Sequence, residues 1–246
     1  MGGAFRNKGT PKIRKKMSQV ITKYKGGSLN NAPIADALFS PKDAVQLYRE
    51  FFAIPTASGE TYTLTAAPVL AADTTASTGV LSIASPGTPV AFGVCTPVPV
   101  VIPAQNKSVY AEWYVAQAVT TASAAQFVGL SSSGTASPVT AAGAMNGSIS
   151  GAGFVFIGTE VRAVNAAGAT VASSTLPITS SVKLYHRLGL VINGTSSIDY
   201  YLNGQLITTA RATTGIPIVA LYESYSSAAT VATGCFVDWF QLAYQR

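Results

Sequence analysis

From Gly59 to the C-terminus, apolar and polar residues come in short runs, and the runs are separated by Gly, Ser, Asn and Pro. Alternation with a period of two puts successive side chains on opposite faces of a strand, so each run reads as one β-strand. The candidate strands are 61–64, 79–83, 90–94, 108–116, 125–130, 153–157, 160–164, 183–192, 197–202, 205–209, 217–222 and 234–242. The clearest hairpin is Ile198-Asp199-Tyr200-Tyr201-Leu202 joined to Gln205-Leu206-Ile207-Thr208 by Asn203-Gly204. Asn-Gly accepts the two positive φ angles of a type I′ turn. A second Asn-Gly, Asn193-Gly194, ends the run before it, so three consecutive antiparallel strands are predicted. Many short strands with turn signals between them predict an all-β sandwich.

The pattern upstream differs. Ser40-Pro41-Lys42-Asp43 has Ser as N-cap, Pro at the first helical position and Asp at the third, which is a capping box. Ala44, Val45, Leu47, Tyr48, Phe51 and Phe52 then recur at three- and four-residue spacing, and Pro55 ends the run. The spacing predicts one short helix, whose apolar face packs on the sandwich or on a neighbouring subunit. Tyr48, Phe51 and Phe52 are its partner-binding candidates. Two stretches rich in Ala, Gly, Ser and Thr, 131–151 and 166–174, have few apolar anchors and read as surface loops, the longer one exposed or against a partner. The expected division is a basic arm over 1–35, a helix and linker over 36–58, and the sandwich over 59–246.

Charge separates the arm from the body. The first 35 residues hold eight bases, Arg6, Lys8, Lys12, Arg14, Lys15, Lys16, Lys23 and Lys25, and no acid, which leaves a net −2 on the rest of a chain of net +6. These eight residues are the partner-binding candidates of the arm, and their partner is anionic or acidic. Gly9-Thr10-Pro11, Gly26-Gly27 and Asn30-Asn31-Ala32-Pro33 interrupt any periodicity there, so the arm is expected to be extended on its partner. The first residues lack the apolar core of a secretory leader, and Arg6 stands where a myristoylation motif has Ser or Thr. No run of eighteen apolar residues marks a membrane span, so no membrane partner is expected. Charged residues are 11% of the chain, and a body this poor in charge suits packing within an assembly.

Chemistry-bearing residues are sparse. Cys95 and Cys235 are the two cysteines, too few for a zinc site, and read as reduced core thiols. His186 is the lone histidine and reads as a partly exposed strand residue. Glu112, Glu160, Asp199, Glu223 and Asp238 are isolated in sequence. No nucleophile elbow or phosphate-cradling loop is present, because Gly151-Ala152-Gly153 lacks the Lys and the following helix. No cofactor and no enzymatic activity are expected.

The run Tyr185-His186-Arg187-Leu188-Gly189-Leu190-Val191-Ile192-Asn193-Gly194, with the hairpin after it, resembles the concanavalin A-like lectin/glucanase sandwich, laminin-G type included. Ser108-Val109-Tyr110-Ala111-Glu112-Trp113-Tyr114-Val115 looks like an early core strand of that superfamily, and Cys235-Phe236-Val237-Asp238-Trp239-Phe240-Gln241-Leu242 like its closing strand. The resemblance covers about 59–246 and implies an all-β concanavalin A-like jelly-roll sandwich, preceded here by the arm and the helix. The Glu-x-Asp-x-Glu strand of the family's glucanases is missing, and with it the paired carboxylates of retaining hydrolysis. The calcium-binding Asp and Asn cluster of its lectins is missing too. Trp113 and Trp239 are expected in the core, and Tyr222 and Tyr225, beside a Ser-rich loop, are the candidate glycan contacts.

Together these features lead to the expectation of a virion structural protein: a bacteriophage capsid cement or decoration protein. Its arm would bind the major capsid protein and its sandwich would stand on the capsid surface. Likeness to that class implies a homotrimer. Two alternatives remain: a main coat protein of a small virus whose arm neutralises packaged nucleic acid, and a carbohydrate-binding module for host attachment.

Overall fold

The computed structural model describes residues 44–51, 62–66, 68–72, 79–85, 91–104, 107–122, 125–133, 137–211, 215–228 and 233–245. The described residues form fifteen strands in two antiparallel sheets and no helix. The strands are β1 (Ala44–Glu50), β2 (Thr63–Thr65), β3 (Val69–Ala72), β4 (Leu81–Ala84), β5 (Phe92–Cys95), β6 (Ser108–Gln117), β7 (Gln126–Ser131) and β8 (Gly151–Ile157). They continue with β9 (Glu160–Ala167), β10 (Thr170–Thr179), β11 (His186–Asn193), β12 (Ser197–Leu202), β13 (Gln205–Arg211), β14 (Tyr222–Ser227) and β15 (Gly234–Gln245). The first sheet has the order β13-β12-β11-β6-β15-β4-β3, and β1 pairs the remaining length of β15. The second has the order β10-β9-β8-β7-β14-β5-β2. The predicted β-sandwich is the observed fold.

Alternation places the core between the sheets. On β6, Val109, Ala111, Trp113 and Val115 belong to the central cluster, so Tyr110, Glu112 and Tyr114 point to the outer face. Trp113 stacks on Phe240 at 5.3 Å and meets Phe154 of the opposite sheet edge-on at 6.3 Å. Phe154 in turn meets Tyr200 at 5.6 Å, and the Tyr200 hydroxyl crosses to donate to the Val164 carbonyl at 2.8 Å. Four large rings thus tie the sheets together, each burial contributing roughly 2–3 kcal/mol. The Asn203-Gly204 turn has φ of 51° and 82°, as its sequence requires, and joins β12 to β13.

Three segments differ from expectation. Residues 44–50 form a strand, not a helix. The capping signature is a local preference, whereas pairing with Trp239–Gln245 satisfies a whole ladder of backbone groups. Leu47 and Arg49 then face inward and Tyr48 outward, a period of two within a segment that also fits a period near four. Residues 170–179, read in part as a loop, form β10, whose small Ser, Thr and Ala side chains pair along β9 without needing apolar anchors. The strand expected at 217–222 lies at Tyr222–Ser227; before it, Leu221 exchanges backbone hydrogen bonds with Val100 and Val101. The segment after β7 is also less exposed than expected. Val139 and Met145 bridge each other and pack with Phe127, Val155 and Val164 in a second cluster on the outer face of the β10–β2 sheet.

Candidate functional site

Among the described residues two carboxylates are almost completely buried, and their surroundings differ. Glu223 of β14 points into the sandwich. Its Oε1 accepts hydrogen bonds from the Tyr62 hydroxyl at 2.9 Å and the Tyr225 hydroxyl at 2.6 Å. Arg49 of β1 reaches Oε2 at 3.1 Å, and its guanidinium lies over the Tyr62 ring at 5.7 Å. Burial first, and the Glu223 charge second, raise both tyrosine pKa values well above 10.0, so both hydroxyls stay protonated and donating. This interior pair fastens β1 of one sheet to β14 of the other.

Glu112 lies on the opposite face of its own sheet. β15 and β11 flank β6, so the register puts Gln241 and Gly189 on either side of Glu112, and Trp239 and Arg187 on either side of Tyr114. Arg187 Nε donates to Glu112 Oε1, while Gln241 Nε2 donates to Oε2 at 2.6 Å and to the Tyr110 hydroxyl at 3.1 Å. Glu112 is 1% exposed. Burial raises its pKa, and the bonds from Arg187, Tyr110 and Gln241 oppose that rise. Gly189 puts no side chain against the carboxylate, so Arg187 alone reaches it from β11.

An aromatic strip crosses the face beside this group. Trp239 and Tyr114 lie nearly parallel with centroids 5.9 Å apart, Tyr185 follows Tyr114 at 5.1 Å, and Tyr48 follows Trp239 at 6.4 Å. Tyr48 is 45% exposed and the other three rings are half-buried. Four strand or strand-end positions from widely separated parts of the chain therefore make one surface, and Lys183 at one end lies 5.0 Å from the Phe236 ring. Rings of this kind can pack on apolar faces of a ligand. Among the described residues no group of three or more His, Cys, Asp and Glu could hold a metal ion.

The sequence-predicted residues fall in different places. Tyr48 belongs to the strip, as a strand residue. Phe51 is in the core and so is no docking residue, because the chain enters the sandwich there. Tyr225 is fully buried and bonded to Glu223, which removes it as a glycan contact, while Tyr222 is half-buried at the start of β14. Trp113 is in the core as expected, but Trp239 points outward, because a bulge at Asp238 resets the alternation of β15. His186 is buried rather than partly exposed, since it faces inward opposite Val115, and burial lowers its pKa. Cys95 and Cys235 are buried free thiols, and burial pushes the Cys235 thiol up to about 12. Phe52 and the eight basic arm residues lie outside the described residues. Glu112, Arg187, Gln241, Tyr114 and Tyr185 were not singled out as site residues. The signal available for Glu112 was a charged residue in the middle of a mostly apolar strand; Arg187, at the start of β11, Gln241 and the two tyrosines carried no such local mark.

No protein-family model matches this chain. No curated protein matches it either. Among solved structures it is similar to a protein of unknown function from Shewanella oneidensis MR-1, with a TM-score of 0.62 and 11% identity over 85% of this chain and 95% of that one. It is also similar to the botulinum neurotoxin serotype G binding domain, with a TM-score of 0.52 and 10% identity over 80% of this chain and 46% of that one. The receptor binding domain of botulinum neurotoxin D gives a TM-score of 0.50 and 8% identity over 74% and 44%. The chain thus spans less than half the length of either toxin structure. At these identities the likeness is one of fold, the β-sandwich.

Proposed function

We propose that this protein is a virion surface protein: its basic N-terminal segment holds it on the capsid lattice, and its sandwich is displayed outward to bind carbohydrate. One observation carries the recognition half, the half-exposed strip Tyr48–Trp239–Tyr114–Tyr185 set beside a buried, hydrogen-bonded Glu112–Arg187 pair. Sugars combine C–H faces that pack on aromatic rings with hydroxyls that exchange hydrogen bonds with carboxylates, amides and guanidinium groups. The strip offers the first, and Arg187, the partly exposed member of the polar group, offers a donor for the second on the same sheet face, while Glu112 and Gln241 are buried and hold it in place. A role in recognition is also supported by the use of this sandwich shape in toxin binding domains, although a fold hosts many functions.

The capsid half rests on charge. Eight bases in the first 35 residues, followed by a body of net −2, suit a tether for an acidic protein lattice. A tether repeated over many sites gains avidity from each added contact. The reading is non-catalytic, because both Glu112 oxygens are engaged by hydrogen bonds and glycoside hydrolysis needs two carboxylates facing one sugar.

Two measurements on full-length protein test the halves separately. Glycan-array binding should be present in the wild type and lost in Trp239→Ala and Tyr114→Ala, whereas no glycan binding, or binding indifferent to both changes, would refute carbohydrate recognition. Co-sedimentation with genome-free capsids stripped of accessory proteins should saturate, and should fail when Lys12, Arg14, Lys15 and Lys16 are all changed to Gln. Retention of nucleic acid through purification, with no capsid binding, would instead favour the coat-protein alternative.

A further inference from the structure

One end of the sandwich carries an apolar groove. The connection from β5 to β6 crosses there from the second sheet to the first, beside the last residues of β15. Val100, Ile102, Val109 and Tyr244 line a groove of about 610 Å³, together with Lys107 and Gln245. Pockets of roughly 300–1,000 Å³ hold a small-molecule ligand, so this one has room for a few large side chains. Its apolar surface extends outward. Ile102 is 64% and Val98 63% exposed, and the antiparallel bridge of Val101 to Leu221 sets the exposed Ile218 and Val219 on the adjacent segment. A cluster of exposed aliphatic side chains around a groove marks a surface that meets something apolar.

The chain itself arrives at this groove. Ala44, the first residue of β1, is the register partner of Gln245, which lines the groove. The residues before Ala44, outside the described ones, therefore join the body at the groove wall. The nearest bulky apolar residues among them are in Ile34-Ala35-Asp36-Ala37-Leu38-Phe39. Between these and β1 stands Ser40-Pro41-Lys42-Asp43, which suits a type I turn as well as a helix start, with Ser first and Pro second. From Phe39 to Ala44 the chain can span about 17 Å, enough to cross a groove of this size. Charge agrees with this occupant. Asp36 is the one charged residue of 34–39, and among the described residues the groove's charged lining residue is Lys107. The eight bases further upstream do not suit it.

We infer that residues 34–39 fold back over this end of the sandwich and seat Leu38 and Phe39 in the groove, so that the basic segment leaves the body from a fixed point. The short connection through 40–43 holds the segment at an effective concentration on the order of millimolar, which favours it over a free partner. Burial of the two side chains against Val100, Ile102 and Tyr244 supplies the driving force, because both the segment and the groove are otherwise apolar surface in water. The inference is independent of what the basic segment holds and of what the aromatic strip binds.

Alkylation of an introduced thiol on full-length protein tests this. In Ile102→Cys the new thiol should react with N-ethylmaleimide at least tenfold more slowly than in Val182→Cys, an exposed position at the opposite end of β6, where Val182 bridges Gln117. Cys95 and Cys235 are buried and do not compete. Adding Leu38→Ser and Phe39→Ser to Ile102→Cys should raise its rate to that of Val182→Cys and lower the melting temperature by about 5 °C. Leu38→Ala should raise the rate in part, which keeps the result readable if the double change unfolds the protein. An Ile102→Cys thiol that reacts as fast as the control, protection that survives the changes at Leu38 and Phe39, or protection that is lost on dilution and so comes from a second copy, would each overturn the proposal.

Discussion

Glu112 and Glu223 have nearly the same partners, an arginine and tyrosine hydroxyls, and almost no exposure, but they serve different ends. The partners of Glu223 come from both sheets: Arg49 from the strand that follows the N-terminal segment, and Tyr225 from its own strand. The partners of Glu112 all come from one sheet, on β6, β11 and β15. An ion pair spanning the core fastens the sheets together, and one confined to an outer face adds little that an apolar pair could not supply. The second is therefore the better candidate for function, and the half-exposed aromatic rings beside it agree with that.

The comparison breaks most visibly at Glu223. Glu223→Leu leaves a buried guanidinium and two buried hydroxyls without their acceptor and should cost about 3–5 kcal/mol, read as a lower urea midpoint. Glu223→Gln keeps an acceptor and should cost less. Glu112→Leu should cost only about 1–2 kcal/mol, since Arg187, although as little exposed as Arg49, lies on the outer face of its sheet, where its guanidinium can turn to water. Equal losses at the two positions would erase the distinction. Trp239→Ala should reverse the order for binding: carbohydrate affinity should fall at least tenfold, about 1.4 kcal/mol. In Glu223→Gln it should be unchanged per folded molecule, as titration calorimetry would show.

Acidification separates the groups more finely. The folded pKa of Glu112 is raised above 4.5, so the folded protein takes up this proton before the unfolded chain does. The penalty for holding the charged carboxylate is complete above the folded pKa and disappears as pH falls toward 4.5, so this group favours folding on acidification, a slope that Glu112→Gln should remove. His186 acts in the opposite sense. Its folded pKa lies below 6.5, so the stability from keeping it neutral is complete above 6.5 and is lost as pH falls through the folded pKa. His186→Gln should flatten that loss, the smallest of these effects, in urea midpoints measured across the acid range.

Much of the sandwich was legible along the chain. The alternation of β6, β11 and β12 and the Asn203-Gly204 turn are local signals, because strand faces and turn angles follow from adjacent residues. β1 and β10 were not legible. Ala44–Glu50 fits two periodicities, and Thr170–Thr179 has no apolar rhythm, so in both the choice rests with the neighbouring strand that needs a partner. The candidate site was legible only in fragments: Tyr110, Glu112 and Tyr114 share a strand face in any register, but nothing local brings Arg187, Gln241 or Trp239 to them.

Composition and alternation alone were enough to decide the all-β class, the absence of an apolar membrane-spanning run and the separation of a basic segment from a nearly neutral body, since each depends on residues close together in the chain. Strand register decided the rest. Pairing β15 and β11 with β6 brought Glu112 under Arg187 and Gln241, the bulge at Asp238 turned Trp239 outward, and β1 carried Arg49 to Glu223 and Tyr48 to the strip. A shift of one residue in any of these ladders would move every side chain to the other face, so a site assembled across four strands exists only once their pairing is set.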